Sequence, residues 1–211
     1  MTRVKICGIN SPAAFDTCAD LAVEWVGFNF FPPSPRYVTA ELAAALSARC
    51  DGGPKRVGLF VKPTDAEIAA ALMVLPLDVL QIYDDPRRIT ALRQRFGIEV
   101  WRAVGVRSRS DLPSPQDDAD GFVIEAPPVA GGLPGGNGLV FDWSTLKGWQ
   151  APKPWLLAGG LTGANVQQAI HETGALAVDV SSGVETSPGC KAPDLMRAFV
   201  SAAQEPLKSN T

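Results

Sequence analysis

The sequence predicts one closed (β/α)8 barrel, and three observations predict it. Eight short apolar, β-branched runs alternate with eight helical stretches along 211 residues, the pattern of a parallel sheet covered by helices. A count of eight favours a closed barrel over an open doubly wound sheet, and about 26 residues per unit makes the barrel compact. No linker or composition shift interrupts the alternation. One α/β domain over 1–203 is therefore expected, with a polar tail over 204–211.

Each element has a local reason. Residues 4–7 form the first apolar run, and Ser11-Pro12 supplies a cap and a first helical position for a helix over 13–21. Residues 24–31 read as a strand stopped by Pro32-Pro33, and Thr39 caps an alanine-rich helix running to about 49. A strand over 56–61 leads to Thr64 and Glu67, a capping box that opens the next helix. Strand 79–83 precedes helix 86–96, strand 98–106 precedes at most a short helix at 108–112, and 121–126 is the sixth strand. A glycine-rich loop over 127–141 follows, then a short helix at 143–149. Strand 154–158, helix 164–171, strand 176–180 and helix 193–203 complete the count.

Composition narrows the chemistry. A net charge of −3 excludes a globally basic nucleic-acid binder. No apolar run reaches the ~18 residues of a membrane span. Charges alternate along Arg3-Val4-Lys5 where a signal peptide would be apolar, so a cytoplasmic protein is expected. The single histidine, His171, excludes sites with two His ligands. Cys7, Cys18, Cys50 and Cys190 form no C-x-x-C pair. Free thiols and no metal are expected.

In a barrel, chemistry gathers where strands end, which selects Cys7, Asn29, Tyr83, Glu125, Gly159 and Ser181. Lys5 and Cys7 share one face of the first strand, and Ala177 and Asp179 share one face of the last. Barrel closure makes those strands neighbours, so Lys5 and Asp179 should pair, either structurally or in catalysis. Gly159-Gly160 and Ser181-Ser182-Gly183 end the last two strands, the usual phosphate position in barrels. Gly135-Gly136-Asn137-Gly138 is not a dinucleotide fingerprint and reads as a flexible active-site loop. Cys7 taken alone could be a small core residue, and Asp142 could simply cap the helix at 143. His171 lies near a helix C-terminus and suits a dipole or capping role. Gln81 and Tyr83 share a face, which puts Tyr83 at the mouth as a neutral contact or pocket wall.

Taken together, these segments resemble the phosphoribosylanthranilate isomerases, the (β/α)8 enzymes of tryptophan biosynthesis. The resemblance runs in order through Val4-Lys5-Ile6-Cys7-Gly8-Ile9, Gly27-Phe28-Asn29-Phe30 with Ser34-Pro35-Arg36-Tyr37, and Val57-Gly58-Leu59-Phe60-Val61. It continues through Gly135-Gly136-Asn137-Gly138 to Phe141-Asp142-Trp143, Leu157-Ala158-Gly159-Gly160-Leu161, Asp179-Val180-Ser181-Ser182-Gly183-Val184-Glu185 and Gly189-Cys190-Lys191. It implies an Amadori rearrangement of an aminoaldose to an aminoketose, a phosphorylated small-molecule substrate, and no cofactor. By resemblance, Cys7 is the general base and Asp142 the general acid, the latter raised in pKa by Val140, Phe141 and Trp143. Lys5 or loop dipoles would lower the Cys7 pKa. Arg36 would meet the anthranilate carboxylate, and the two glycine- and serine-bearing turns the phosphate. Lys5, Gln81, Tyr83 and Asp179 complete the expected substrate contacts.

The sequence departs from the family where it reads Tyr83-Asp84 in place of the usual His-Gly, Glu125 in place of Asp, Ala192 in place of Asp, and Asn137 in place of Thr. A related phosphate-binding barrel remains a competing reading, although the histidines of a pentose-phosphate epimerase and the several Lys and Glu of an indole-glycerol-phosphate synthase are missing. So does a barrel that only binds a phosphorylated ligand. Monomer and homodimer are both open.

Overall fold

The computed structural model describes residues 1–127, 135 and 138–206. Its centre is a closed parallel barrel of eight strands in sequential order: β1 (Arg3–Cys7), β2 (Trp25–Asn29), β3 (Lys55–Val61), β4 (Val79–Tyr83), β5 (Glu99–Gly105), β6 (Gly121–Glu125), β7 (Trp155–Leu157) and β8 (Ala177–Val180). Closure is made by β8 against β1, in a register that sets Lys5 opposite Asp179. The α-helices are α1 (Pro12–Asp20), α2 (Ala40–Ser47), α3 (Asp65–Val74), α4 (Pro86–Phe96), α5 (Val166–Thr173) and α6 (Pro193–Gln204). Among the described residues, no helix is long and apolar enough to cross a membrane.

The local signals act as the sequence predicts in most places. Thr39 accepts from the Leu42 amide, and Thr64 and Glu67 form the capping box. Asp85 caps α4 ahead of Pro86, and Gly97 closes it at φ +63. Ser11 stands before Pro12 but makes no side-chain cap.

The two shortest helical stretches are single turns. The connections after β5 and β6 hold only 3-10 turns, Arg109–Asp111 and Trp143–Leu146. Pro113 and Pro115 stop the first, and Gly148 at φ +70 follows the second, so neither can lengthen into an α-helix. The segment after β8 is ordered. It makes a 3-10 turn, Ser182–Val184, and then a hairpin of β9 (Glu185–Ser187) and β10 (Cys190–Lys191). Most of the expected 127–141 loop, including Gly136 and Asn137, lies outside the described residues, as do 207–211 of the expected tail.

Strand alternation divides the core in two. Ile6, Phe28, Leu80, Ile82, Val100, Phe122 and Val178 pack outward against the helices. Trp25, Val57, Val79, Trp101, Val123, Leu156, Ala158 and Ala177 form a separate cluster inside the barrel. One strand step closer to the C-terminal mouth, the interior turns polar: Gln81 follows Val79, Glu125 follows Val123, and Asp179 follows Ala177.

Candidate active site

A cavity of about 270 Å³ opens at the C-terminal mouth. Its lining joins Cys7 from β1, Arg36 from the loop after β2, Tyr83 from β4, Glu125 from β6, Asp179 from β8, and the turns that follow β7 and β8. All six strand-end positions singled out by the sequence line it.

Lys5 is fully buried and donates to Asp179 Oδ1 at 2.9 Å, so the expected pair forms. Burial pulls the Lys5 ammonium toward neutrality, but Asp179 and Cys7 outweigh it and its pKa rises. The Cys7 thiol is buried beside Lys5. Lys5 draws the thiol pKa down as expected, yet desolvation is the larger effect and the pKa ends above its ordinary 9.0. Gly27 leaves room for this pair: a Cβ there would stand 2.7 Å from Cys7 Sγ and 3.2 Å from Lys5 Nζ.

Glu125 is 6% exposed. Burial pushes its carboxyl up from 4.5 to about 7, against the lowering effect of the neighbouring Tyr83 hydroxyl. Asp179 raises it further and Lys5 lowers it. Burial likewise pushes the Tyr83 phenol well above its ordinary range, so it is neutral, as expected. Gln81 is buried beneath the cavity lining, with Nε2 3.5 Å from Tyr83 Oη.

Asp142 does not join this group. Its carboxylate is exposed and accepts from the Ser144 amide at 2.9 Å as the cap of the following 3-10 turn. Hydrogen bonds from Ser144 hold its pKa below the ordinary value. The apolar setting expected from Val140, Phe141 and Trp143 is absent: Phe141 and Trp143 turn inward while Asp142 and Val140 face solvent.

Arg36 is presented by a stiff loop. Asn29 Oδ1 accepts from the Phe31 amide, Asn29 Nδ2 donates to Ser34 Oγ, and Ser34 Oγ accepts from the Arg36 amide, with Pro32, Pro33 and Pro35 between. The buried guanidinium grips Glu185 with Nε and Nη2, both at 2.8 Å. Lys191 Nζ reaches the same carboxylate at 2.5 Å and the Ser181 carbonyl at 3.0 Å. Gly189 at φ +85 seats the hairpin on this loop, where a Cβ would stand 2.4 Å from the Pro35 carbonyl oxygen.

The two turns expected to take phosphate meet at the cavity. Gly159 and Gly160 have φ of +85° and +63°. Gly183 packs so closely on the Leu161 carbonyl that no side chain fits there. Ser181 Oγ donates to the Cys7 carbonyl at 3.1 Å, tying this turn to β1.

Sequence reasoning gave no role to Glu185 or Lys191, and singled out Glu125 as a strand-end position and a departure without making it the acid. Position at the end of β6 was the available signal for Glu125. The pairing of Glu185 with Arg36 spans 149 residues, and no local pattern announces it. Among the described residues, no cluster of three or more His, Cys, Asp or Glu is arranged to hold a metal ion.

The family model of N-(5'-phosphoribosyl)anthranilate (PRA) isomerase matches residues 4–202. An N-(5'-phosphoribosyl)anthranilate isomerase of Acidiphilium cryptum is 52% identical over 204 residues, covering 96% of this chain and 98% of that relative. The crystal structure of phosphoribosyl anthranilate isomerase from Thermotoga maritima superposes with a TM-score of 0.83 at 30% identity, over 97% of this chain and 99% of that one. A phosphoribosyl anthranilate isomerase in complex with reduced 1-(o-carboxyphenylamino)-1-deoxyribulose 5-phosphate superposes with a TM-score of 0.80, at the same identity and coverage. A match that spans almost the whole barrel, mouth and hairpin included, leaves one assignment: the chain belongs to the N-(5'-phosphoribosyl)anthranilate isomerase family.

Proposed function

We propose that the protein converts N-(5-phosphoribosyl)anthranilate into 1-(2-carboxyphenylamino)-1-deoxyribulose 5-phosphate, a cytoplasmic step of tryptophan biosynthesis, with Cys7 as base and Glu125 as acid. The reaction is an internal redox isomerisation in which C1′ is reduced as C2′ is oxidised. The observation that carries the reading is the burial of a near-neutral carboxyl, Glu125, on the same cavity as Cys7. An acid must hold its proton near the working pH, which Glu125 does and the exposed, ionised Asp142 does not.

Neutral Glu125 protonates the furanose ring oxygen, and the ring opens to a Schiff base. The Cys7 thiolate then removes the C2′ proton, giving an enolamine that tautomerises to the ketone. Lys5, held by Asp179, stabilises the thiolate. The turns at Gly159-Gly160 and Ser181-Ser182-Gly183 hold the phosphate. Arg36, braced by Glu185, meets the anthranilate carboxylate.

This pair works in reversed protonation, because the base has the higher pKa. Below about 7 both groups carry protons and no base is present; above the Cys7 pKa neither does and the acid is lost. The kcat/KM profile is therefore a bell that rises near pH 7, with limbs that belong to the pair. Turnover of the anthranilate substrate by folded Cys7→Ala and Glu125→Gln tests the scheme. Each should lose about 10²–10⁴ in kcat. A Glu125→Gln variant with near-wild-type kcat would remove Glu125 from the acid role.

A further inference from the structure

The hairpin that follows β8 carries a charge cluster with one member that the acid–base scheme leaves unused. Lys191 Nζ meets Glu185 Oε1 at 2.5 Å, the Ser181 carbonyl at 3.0 Å and Ser181 Oγ at 3.3 Å. The Lys191 and Glu185 side chains are 0% and 3% exposed, and neither lines the cavity. Glu185 in turn holds Arg36, which does line it. Gly8 receives the stem of that arginine: at φ +78, a Cβ there would stand 2.7 Å from Arg36 Cδ. The contacts close a ring that runs from Cys7 and its neighbour Gly8 through Arg36, Glu185, Lys191 and Ser181, and back to the Cys7 carbonyl. Arg36 is thereby fixed in position relative to Cys7.

Charge gives this ring a preference. Arg36 and Glu185 alone make a neutral pair, and a substrate carboxylate brought to them would leave one uncompensated negative charge in a buried place. Lys191 brings the three side chains to a net +1, and a carboxylate on Arg36 brings them to zero. Burial pushes the Glu185 carboxyl up, but Arg36 and Lys191 outweigh it, and its pKa ends below the ordinary 4.5. Burial also lowers the Lys191 pKa, opposed by Glu185, so each of the two supports the charge of the other.

Resting on Arg36 as the carboxylate contact, we propose that Lys191 is a positioning residue that sets substrate choice: it offsets Glu185 from behind the cavity, so that Arg36 keeps a net positive charge for an aminoaldose whose amine substituent carries a carboxylate. Lys191 itself touches neither the substrate nor a transferred proton.

Calorimetric binding of two ligands to the full chain reads this out: reduced 1-(o-carboxyphenylamino)-1-deoxyribulose 5-phosphate, and its phenylamino counterpart, which lacks the ring carboxylate. Lys191→Met nearly keeps the length of the side chain and removes its charge. It should weaken the first ligand by about tenfold or more and the second by less than about threefold. Adding Glu185→Gln leaves the charge of Arg36 alone, and this double variant should recover most of the lost affinity for the carboxylate ligand. A merely structural Lys191 would weaken both ligands alike and gain nothing from the second substitution. Either result overturns the proposal, as does unchanged binding in Lys191→Met. Should Lys191→Met not fold, the double variant, which buries neither charge, carries the test. It should keep the preference for the carboxylate ligand within about tenfold of the wild type, and loss of that preference overturns the proposal. The reading of Arg36 fails separately, if the wild type binds both ligands equally or Arg36→Ala leaves the preference intact.

Discussion

The base and the mouth of the barrel are built by the same strands, one pleat apart, and they use burial in opposite ways. At the base, Trp25 and Trp101 meet edge to face with centroids 5.3 Å apart, among Val57, Val79, Val123, Leu156 and Ala177. Nearly all of that buried surface is apolar, and it stabilises the fold by about 25 cal/mol per Å². At the mouth, Lys5, Gln81, Glu125 and Asp179 are just as buried. There burial raises the pKa of Cys7 and Glu125 and leaves Gln81 Oε1 without a partner. Burial of Glu125 and of the unpartnered amide oxygen disfavours folding near neutral pH, and the proposed scheme uses the protonation states that burial gives Cys7 and Glu125. The difference teaches that stability comes from the base, while the mouth gives some of it up for chemistry.

The base offers the largest expected effect. Trp101 packs over Gly121, where a Cβ would stand 2.8 Å from the indole, and its Nε1 donates to Glu99 at 2.6 Å. Trp101→Ala opens a cavity that the barrel wall cannot collapse to fill, and should cost about 3–5 kcal/mol. Urea denaturation measures the loss. The folded fraction should still turn over at nearly the wild-type kcat, because Trp101 does not line the cavity at the mouth. A large fall in kcat for the folded fraction would mean that base and mouth are not separable.

That separation also governs what the sequence discloses. The barrel is legible because its signals are local and repeated: apolar strands, the Thr64–Glu67 box, and the proline and glycine that bound α4. The Lys5–Asp179 pair follows from strand period and closure alone. The proposed acid is harder to read. Asp142 and Glu125 are both carboxylates near strand or turn ends, and only burial separates them. Whether a side chain after β6 turns inward depends on the whole interior layer. The two short helical stretches are legible as helical, but a signal of a few residues does not reveal that prolines and glycine stop each after one 3-10 turn. Arg36, Glu185 and Lys191 come together through a hairpin that no short-range pattern marks.

The mouth predicts a gain in stability where the base predicts a loss. Glu125 has a folded pKa near 7 against an ordinary 4.5, so folding disfavours its ionised form. The sign is fixed by that direction. Below 4.5 the carboxyl is neutral in both states and nothing is lost; as pH climbs toward 7 the unfolded chain ionises first and the fold is penalised. The full penalty holds above 7 and amounts to about 3 kcal/mol. Glu125→Gln keeps the shape and removes the titratable group. It should gain about that much stability at pH 8 and little at pH 4.5, read as Tm at the two pH values. An equal gain at both would show that the carboxyl is not held against ionisation.

The smallest expected effect belongs to Asp142, and it sharpens the line between burial and exposure. Its carboxylate caps a single 3-10 turn from solvent, outside the cavity lining. Its pKa is lowered by Ser144, so the cap is fully present above the ordinary Asp range and fades as pH falls through the folded value. Asp142→Asn should fold and turn over like the wild type, since an amide oxygen can accept the same hydrogen bond. Asp142→Ala should lower Tm slightly at pH 7, less at pH 3, and change kcat by less than about tenfold, well short of the 10²–10⁴ tied to an acid. The two substitutions separate the roles, because a proton donor would suffer from both and a cap only from the second. A loss of a hundredfold or more in folded Asp142→Asn would return the acid to Asp142 and leave Glu125 as a buried carboxyl without a catalytic step.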